Sequence, residues 1–170
     1  MEGTNTVTLE MSRIPPIDLG RRLKYLIRYP HGCIEQTTSS VFPQLYLSKL
    51  QELDSKLETQ IETNVKAGIQ RIRSFQTSDG GFAYWPGNSE SSTWGSNYAG
   101  HFLLEAKALG YNVPDALLNN WRRYQRQKAR SWRQGSNGYT RDDLMQAYRL
   151  YTLALAGYSE NGAMNRLRES

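Results

Sequence analysis

Tyr29-Pro30-His31-Gly32-Cys33-Ile34-Glu35-Gln36 organises the reading of this chain. It holds the only cysteine of 170 residues and sets a glutamine three positions after it. Tyr29-Pro30 ends the segment before it, since proline cannot continue a helix. Cys33 and Gln36 then fall at the start of a new helix, where one turn brings side chains three apart to the same face. A thiolate so placed can attack the Gln36 side-chain carbonyl, expel ammonia and close a thiolactone. Gly32, directly before Cys33, lets the backbone turn tightly enough for that ring. The product is an acyl group on a good leaving group. It needs no cofactor, but it does need protection from water. Tyr29, Tyr84, Trp85 and Trp94 are placed to provide an apolar wall that slows hydrolysis. Glu35 suits either a first-turn carboxylate favoured by the helix dipole or a support for the thioester.

Working outward, the helix is expected to run from about Cys33 to Leu50, interrupted at Pro43. Upstream, residues 4–12 alternate apolar and polar like a short strand. Pro15 and Pro16 break the chain, and Asp18 caps a helix over 19–28. Downstream, apolar spacing predicts helices over 57–76, from Gly95 to Leu109 with Gly110 as its left-handed end, from Pro114 to about Trp132, and from Asp142-Asp143 to near Gly157. About six helices result, with no strand pair after residue 12. Asn161 to Ser170 fades out without a clear terminus.

Two glycine-bearing loops, 76–87 and 134–139, separate helix pairs, and each is followed by an aromatic suited to the groove between helices. Stacked hairpins whose loops share one face imply an all-α fold, the α/α toroid, of which this chain supplies about half the ring. Residues 1–17 read as the end of a neighbouring β-rich domain and 18–170 as the first part of the toroid.

Hydrophobic residues make up 38% and charged residues 22%, which suits a packed core and argues against disorder. No apolar run approaches the roughly 18 residues that span a bilayer. Met1-Glu2-Gly3 lacks the basic and apolar stretches of an export signal, an absence that decides little in a sequence that can be cut from a longer precursor. One cysteine excludes a disulfide framework and a cysteine-rich zinc site. The net charge of +5 rests largely on the basic stretch Arg122 to Arg133. No nucleic-acid-binding module accompanies it, so it reads as a solvated helix face and no nucleic-acid partner is expected. His31 and His101 lack the partners of a triad or a metal site; His101 reads as a helix-packing residue.

The wider pattern resembles the bacterial α2-macroglobulins and, more distantly, the thioester proteins of complement. The match runs from Tyr29 to Ser39 and through Phe42-Pro43-Gln44-Leu45-Tyr46-Leu47. It continues through Asp79-Gly80-Gly81-Phe82 with Trp85, Ser92-Thr93-Trp94-Gly95, Asn97 to Phe102 and Gly162 to Leu167. The resemblance implies the thioester domain of a broad-spectrum protease inhibitor. After bait cleavage elsewhere in the parent, its Cys33–Gln36 thioester would acylate a surface lysine of the attacking protease. Tyr29, Pro30, Gly32, Glu35, Tyr84, Trp85 and Trp94 would support or shield the bond. It also implies other macroglobulin domains as partners, a periplasmic or cell-envelope location, and membrane association only through a lipid anchor of the parent. Some complement members carry a histidine in the second loop that passes the acyl group to hydroxyls. Arg133 to Asp143 holds none, so direct attack by amines, with poor transfer to sugars, is expected. Two other readings stand beside this one. Terpene cyclases and prenyltransferases share the toroid but need an acidic cluster or zinc site. A helical binding module could also retain the motif without forming the bond.

Overall fold

In a computed structural model, Met11 and residues 23–135 and 141–170 are described. The expected strand at 4–12, the cap at Asp18 and loop residues 136–140 lie outside them. The first described segment leaves a helix at Leu23–Lys24 and turns at 25–26, so the helix expected to reach residue 28 stops sooner. Arg28 takes part in this exit, its Nε donating to the Tyr25 carbonyl at 2.8 Å.

The helix expected from Cys33 to Leu50 is three pieces, α1 (Ile34–Val41), a 3₁₀ turn (Pro43–Tyr46) and α2 (Leu47–Leu50). Pro43 opens the 3₁₀ turn, where its missing N–H costs least. There follow α3 (Ser55–Arg73), α4 (Thr93–Ala108), α5 (Asp115–Ser131), α6 (Arg141–Leu155) and α7 (Asn161–Arg168). Asp54 caps α3 by accepting from the Leu57 N–H, and Ser92 caps α4 by accepting from the Gly95 N–H. Gly110 has φ +88° at the end of α4, as its position predicts. Pro114 is the N-cap of α5 rather than a first-turn residue. The segment expected to fade out instead forms α7, which seats Ala163 against Ala129, Leu150 and Leu153. Two isolated bridges, Gln76 with Phe82 and Ala83 with Ser91, fold the first glycine loop back on itself.

The helices form two layers. α1, α4 and α6 are successive neighbours in one; in the other, α3 packs against α1 and α4, α5 against α4 and α6, and α7 against α6 and α5. Each connection crosses between layers, which is the hairpin stacking of an α/α toroid. α4 must bury more than one face, so its central residues are small or apolar: Ala99, Gly100, Phe102, Leu103 and Ala106 are all buried. Gly100 is required by close approach, because a Cβ there would overlap the Trp121 indole. Trp121 is fully buried and donates its indole N–H to the Ser96 carbonyl at 2.7 Å.

Between α4, α5 and α6 the core is polar. Gln125 Nε2 donates to Asn97 Oδ1 at 2.7 Å, and Arg149 donates to Gln125 Oε1 at 3.1 Å and to Gln146 Oε1 at 2.7 Å. Burial pushes the Arg149 guanidinium below its usual range. The basic stripe of α5 is more than a solvated face. Arg126 and Arg130 both pair with Glu160 (2.6 and 2.9 Å), just before α7, and Arg122 lies 4.2 Å over the Tyr158 ring.

Replacing Trp121 with Ala should cost about 3–5 kcal/mol of unfolding free energy, as lost burial and cavity terms add. Trp121→Phe should cost distinctly less. Denaturant unfolding followed by circular dichroism measures both, and an alanine variant as stable as the parent would contradict this packing.

Candidate functional site

The chain enters α1 through Gly32, whose φ of +83° lies in the left-handed region that favours glycine. The turn delivers Cys33 as the N-cap residue, extended at φ −72° and ψ 176°, with its side chain 3% exposed. Gln36 is the third residue of the helix, and its Oε1 accepts the Cys33 backbone N–H at 3.1 Å. The Cys33 side chain faces the Gln36 N–H in return, the reciprocal arrangement of a capping box. Cys33 and Gln36 are thus brought together over one turn. The Gln36 carboxamide rests against Gly32, where any Cβ would overlap its Oε1. Gly32 therefore serves twice, for its conformation and for the space it leaves.

Arg71, reaching across from α3, holds this turn. Its Nη2 donates to the Gly32 carbonyl at 2.7 Å and its Nε donates to Thr37 Oγ1 at 3.1 Å. Its guanidinium also lies 5.6 Å over the Phe75 ring. Thr37 is fully buried and donates to the His31 carbonyl at 3.4 Å. Sequence reasoning missed Arg71 and Thr37, because a lone arginine on an amphipathic helix reads as solvated. Gln44 was quoted only as part of a motif. It is buried, donates to the Arg28 and Ser40 carbonyls (2.8 and 2.6 Å) and accepts from Asn64 at 3.0 Å.

The first glycine loop closes over the same helix end. The Tyr84 carbonyl accepts the otherwise unpartnered Ile34 N–H at 3.1 Å. The Tyr84 hydroxyl donates to Glu35 Oε2 at 3.4 Å. Hydrogen bonding to Cys33, with the nearby Cys33 and Glu35 charges, pushes the Tyr84 phenol up to about 12. Asp79 ties the loop internally, accepting from Thr77 Oγ1, Ser91 Oγ and the Gly81 N–H at 2.6, 2.7 and 3.0 Å. Burial opposes its charge, yet these bonds hold its carboxyl below the usual range. Phe82, the aromatic after the glycines, is fully buried.

The other aromatics named from sequence lie in different places. Trp85 packs edge-on against Tyr84 with centroids 6.0 Å apart and is half exposed. Tyr29 is 62% exposed, while Pro30 beside it is buried. Trp94 stacks on Tyr98 at 5.3 Å and tilts against Tyr148 at 5.7 Å, in a cluster with Phe42 and His101. His101 packs between helices, its Nδ1 3.0 Å from the Tyr148 hydroxyl and its Nε2 3.6 Å from Glu105. Burial lowers its proton affinity despite Glu105. Asp142 and Asp143 lie in the first turn of α6. Among the described residues no group of three or more His, Cys, Asp or Glu is placed to hold a metal ion.

A family model described as the A-macroglobulin TED domain matches residues 6–131. The α2-macroglobulin of Escherichia coli K12 is 37% identical over 127 residues, which are 70% of this chain and 8% of that protein. That of Xylella fastidiosa is 33% identical over 114 residues, 65% of this chain and 7% of the relative. A crystal structure of Salmonella α2-macroglobulin reacted with methylamine superposes with a TM-score of 0.76 at 32% identity, covering 92% of this chain and 11% of that one. Trypsin-activated E. coli α2-macroglobulin gives 0.68 at 29% identity, covering 83% and 10%.

Gly32→Ala should lose about 1–2 kcal/mol from the left-handed conformation alone and should also unseat Gln36. The expected outcome is a lower melting temperature together with a Cys33 thiol open to alkylation in the native state. A variant matching the parent in both would contradict the packing of Gln36 against Gly32.

Proposed function

The chain belongs to the A-macroglobulin family through its TED domain, and from that premise we propose that Cys33 and Gln36 form an internal thioester that acylates amines of a trapped protease. The matched residues span 8% of the E. coli and 7% of the Xylella fastidiosa α2-macroglobulin, so the inhibitory cycle is read as that of a larger parent protein. That parent is read as a periplasmic or cell-envelope protease inhibitor whose other domains carry the bait.

The observation that carries this reading is the bond from the Cys33 N–H to Gln36 Oε1. It aims a donor at the oxygen of the carbonyl to be attacked, at a helix N-terminus that favours the negative charge developing there. The Cys33 sulfur, as thiolate, attacks Gln36 Cδ; the C–N bond breaks, and the amide nitrogen leaves as ammonia after taking up a proton. The same Cys33 N–H then polarises the thioester carbonyl. When a lysine amine attacks Cδ, the C–S bond breaks, the amine gives up a proton, and the sulfur is released as a thiol with an amide left at residue 36. No other group is consumed, so each chain reacts once.

The structure supports protection at the sulfur more than at the acyl carbon. Cys33 is buried, and the Tyr84 carbonyl closes on its neighbour Ile34, whereas Gln36 is exposed. Tyr29, Trp85 and Trp94 are proposed to complete the shield in the parent protein, with Pro30 and Glu35 supporting the turn.

A biotin-linked primary amine incubated with the native chain should become attached through an amide at residue 36, as read by peptide mass spectrometry. Cys33→Ser should reduce labelling to background. Labelling that persists in this variant, or that falls on other residues, would refute the proposal.

A further inference from the structure

A second polar cleft lies where the chain leaves α6. Gly157, at φ +80°, turns the chain out of that helix, and the Tyr158 N–H donates back to the Leu153 carbonyl at 2.9 Å. The turn delivers Tyr158 and Glu160 against α5, where Arg122, Arg126 and Arg130 recur every fourth residue along one face. Each of the three is held. Arg122 lies 4.2 Å over the Tyr158 ring, and its Nη1 donates to the Tyr158 hydroxyl at 2.9 Å. Arg126 lies 5.7 Å over the same ring, and its Nε donates to Glu160 Oε1 at 2.6 Å. Arg130 grips both Glu160 oxygens, at 2.9 and 3.0 Å. Together with Arg123 they line a cleft of about 670 Å³. Its charge is unbalanced, since four guanidiniums meet one carboxylate. That carboxylate is also the covered partner: the Glu160 side chain is 12% exposed, against 39% for Arg126 and 60% for Arg130. Asp115, whose charge Arg122 also feels, is paired with Lys107 at 2.5 Å. Arg122 Nε is buried with no hydrogen-bond partner among the described residues, and the exposed Arg123 bonds only within its own helix, to Asn120 Oδ1 at 3.2 Å.

We propose that this cleft binds an oligophosphate, a run of linked phosphate groups lying along the arginine row. The site is separate from the thioester reading, since no residue of the Gly32 turn or of α1 lines it. Three features select the chemistry. The cleft is lined by four arginines and no lysine, and guanidinium forks match phosphate oxygens where an ammonium offers only a point charge. From Arg122 to Arg130 the row runs about 12 Å at the helical rise, longer than one phosphate group needs. Tyr158 and Glu160 fix three of the arginines before a ligand arrives, so binding loses little side-chain freedom. Phosphate oxygens accept from Arg122, Arg123 and the outer donors of Arg126 and Arg130, while Glu160 stays beneath as the brace. An acidic peptide fits less well. Its carboxylates sit on flexible stems that must be ordered on binding, whereas linked phosphates present a continuous run of acceptors.

Calorimetric titration of the 170-residue chain with tripolyphosphate, at physiological ionic strength, tests the site. Saturable binding is expected, with inorganic phosphate far weaker. Arg123→Gln removes an exposed guanidinium that braces no other helix, so it should weaken binding about tenfold and leave the melting temperature of the free chain unchanged. Arg122→Gln should weaken binding at least as much. Lys66→Gln removes the same charge from an exposed position on α3 and should leave the affinity as it was. Failure of tripolyphosphate to bind would overturn the proposal. So would equal losses in Arg123→Gln and Lys66→Gln, which would reduce the cleft to general charge attraction. Polyglutamate bound as tightly as tripolyphosphate would assign the cleft to acidic protein segments and overturn the phosphate reading.

Discussion

The left-handed turn at Gly32, clamped by Arg71, is the constraint on which the site depends. It sets the direction in which the chain enters α1 and so puts Cys33 at the N-cap, side chain inward. Without that turn the first residues of α1 would present neither the buried sulfur nor the bond from Cys33 to Gln36 Oε1. A second requirement meets at the same residue, since the Gln36 carboxamide occupies the space a Cβ would need. One glycine therefore couples backbone conformation to the juxtaposition of Cys33 and Gln36.

The fold converts that local geometry into a fixed platform. α1 packs against α3, which carries Arg71, and against α4, with Gly95 close against Ile34. The first glycine loop leaves α3 and returns to α4, so Tyr84 is held at the helix end by both of the helices that position α1. Its carbonyl and hydroxyl meet three successive residues, Cys33, Ile34 and Glu35. Cys33 is thereby buried at the helix end while Gln36 lines a cleft. Under the proposed thioester, this asymmetry suits a group that must stay intact until a nucleophile of the right shape arrives.

Much of this was legible in the sequence. Apolar periodicity located the cores of α3, α4 and α5, Gly110 marked the end of α4, and Cys33 with Gln36 stood out by spacing. What escaped was what periodicity does not carry. Pro43 signalled an interruption, but not that it would open a 3₁₀ turn between two short helices. Asn161 to Ser170 gives no clear terminus in the sequence, yet it forms α7, entered from Glu160, which Arg126 and Arg130 of α5 anchor. The buried Asn97–Gln125–Arg149–Gln146 network and the Arg71 clamp are polar groups satisfied only in three dimensions. Residue type predicts exposure for each of them. The aromatics named as a shield fell into one group because they are chemically alike. The structure separates them, with Tyr84 at Cys33 and Trp94 among Tyr98 and Tyr148.

Whether the Gly32 turn joins Cys33 to Gln36 can be read from the mass of the untreated native chain. A formed thioester leaves the chain lighter than its sequence by one ammonia, with Cys33 closed to thiol reagents until the bond is opened. A chain at full sequence mass with an immediately titratable Cys33 would contradict it.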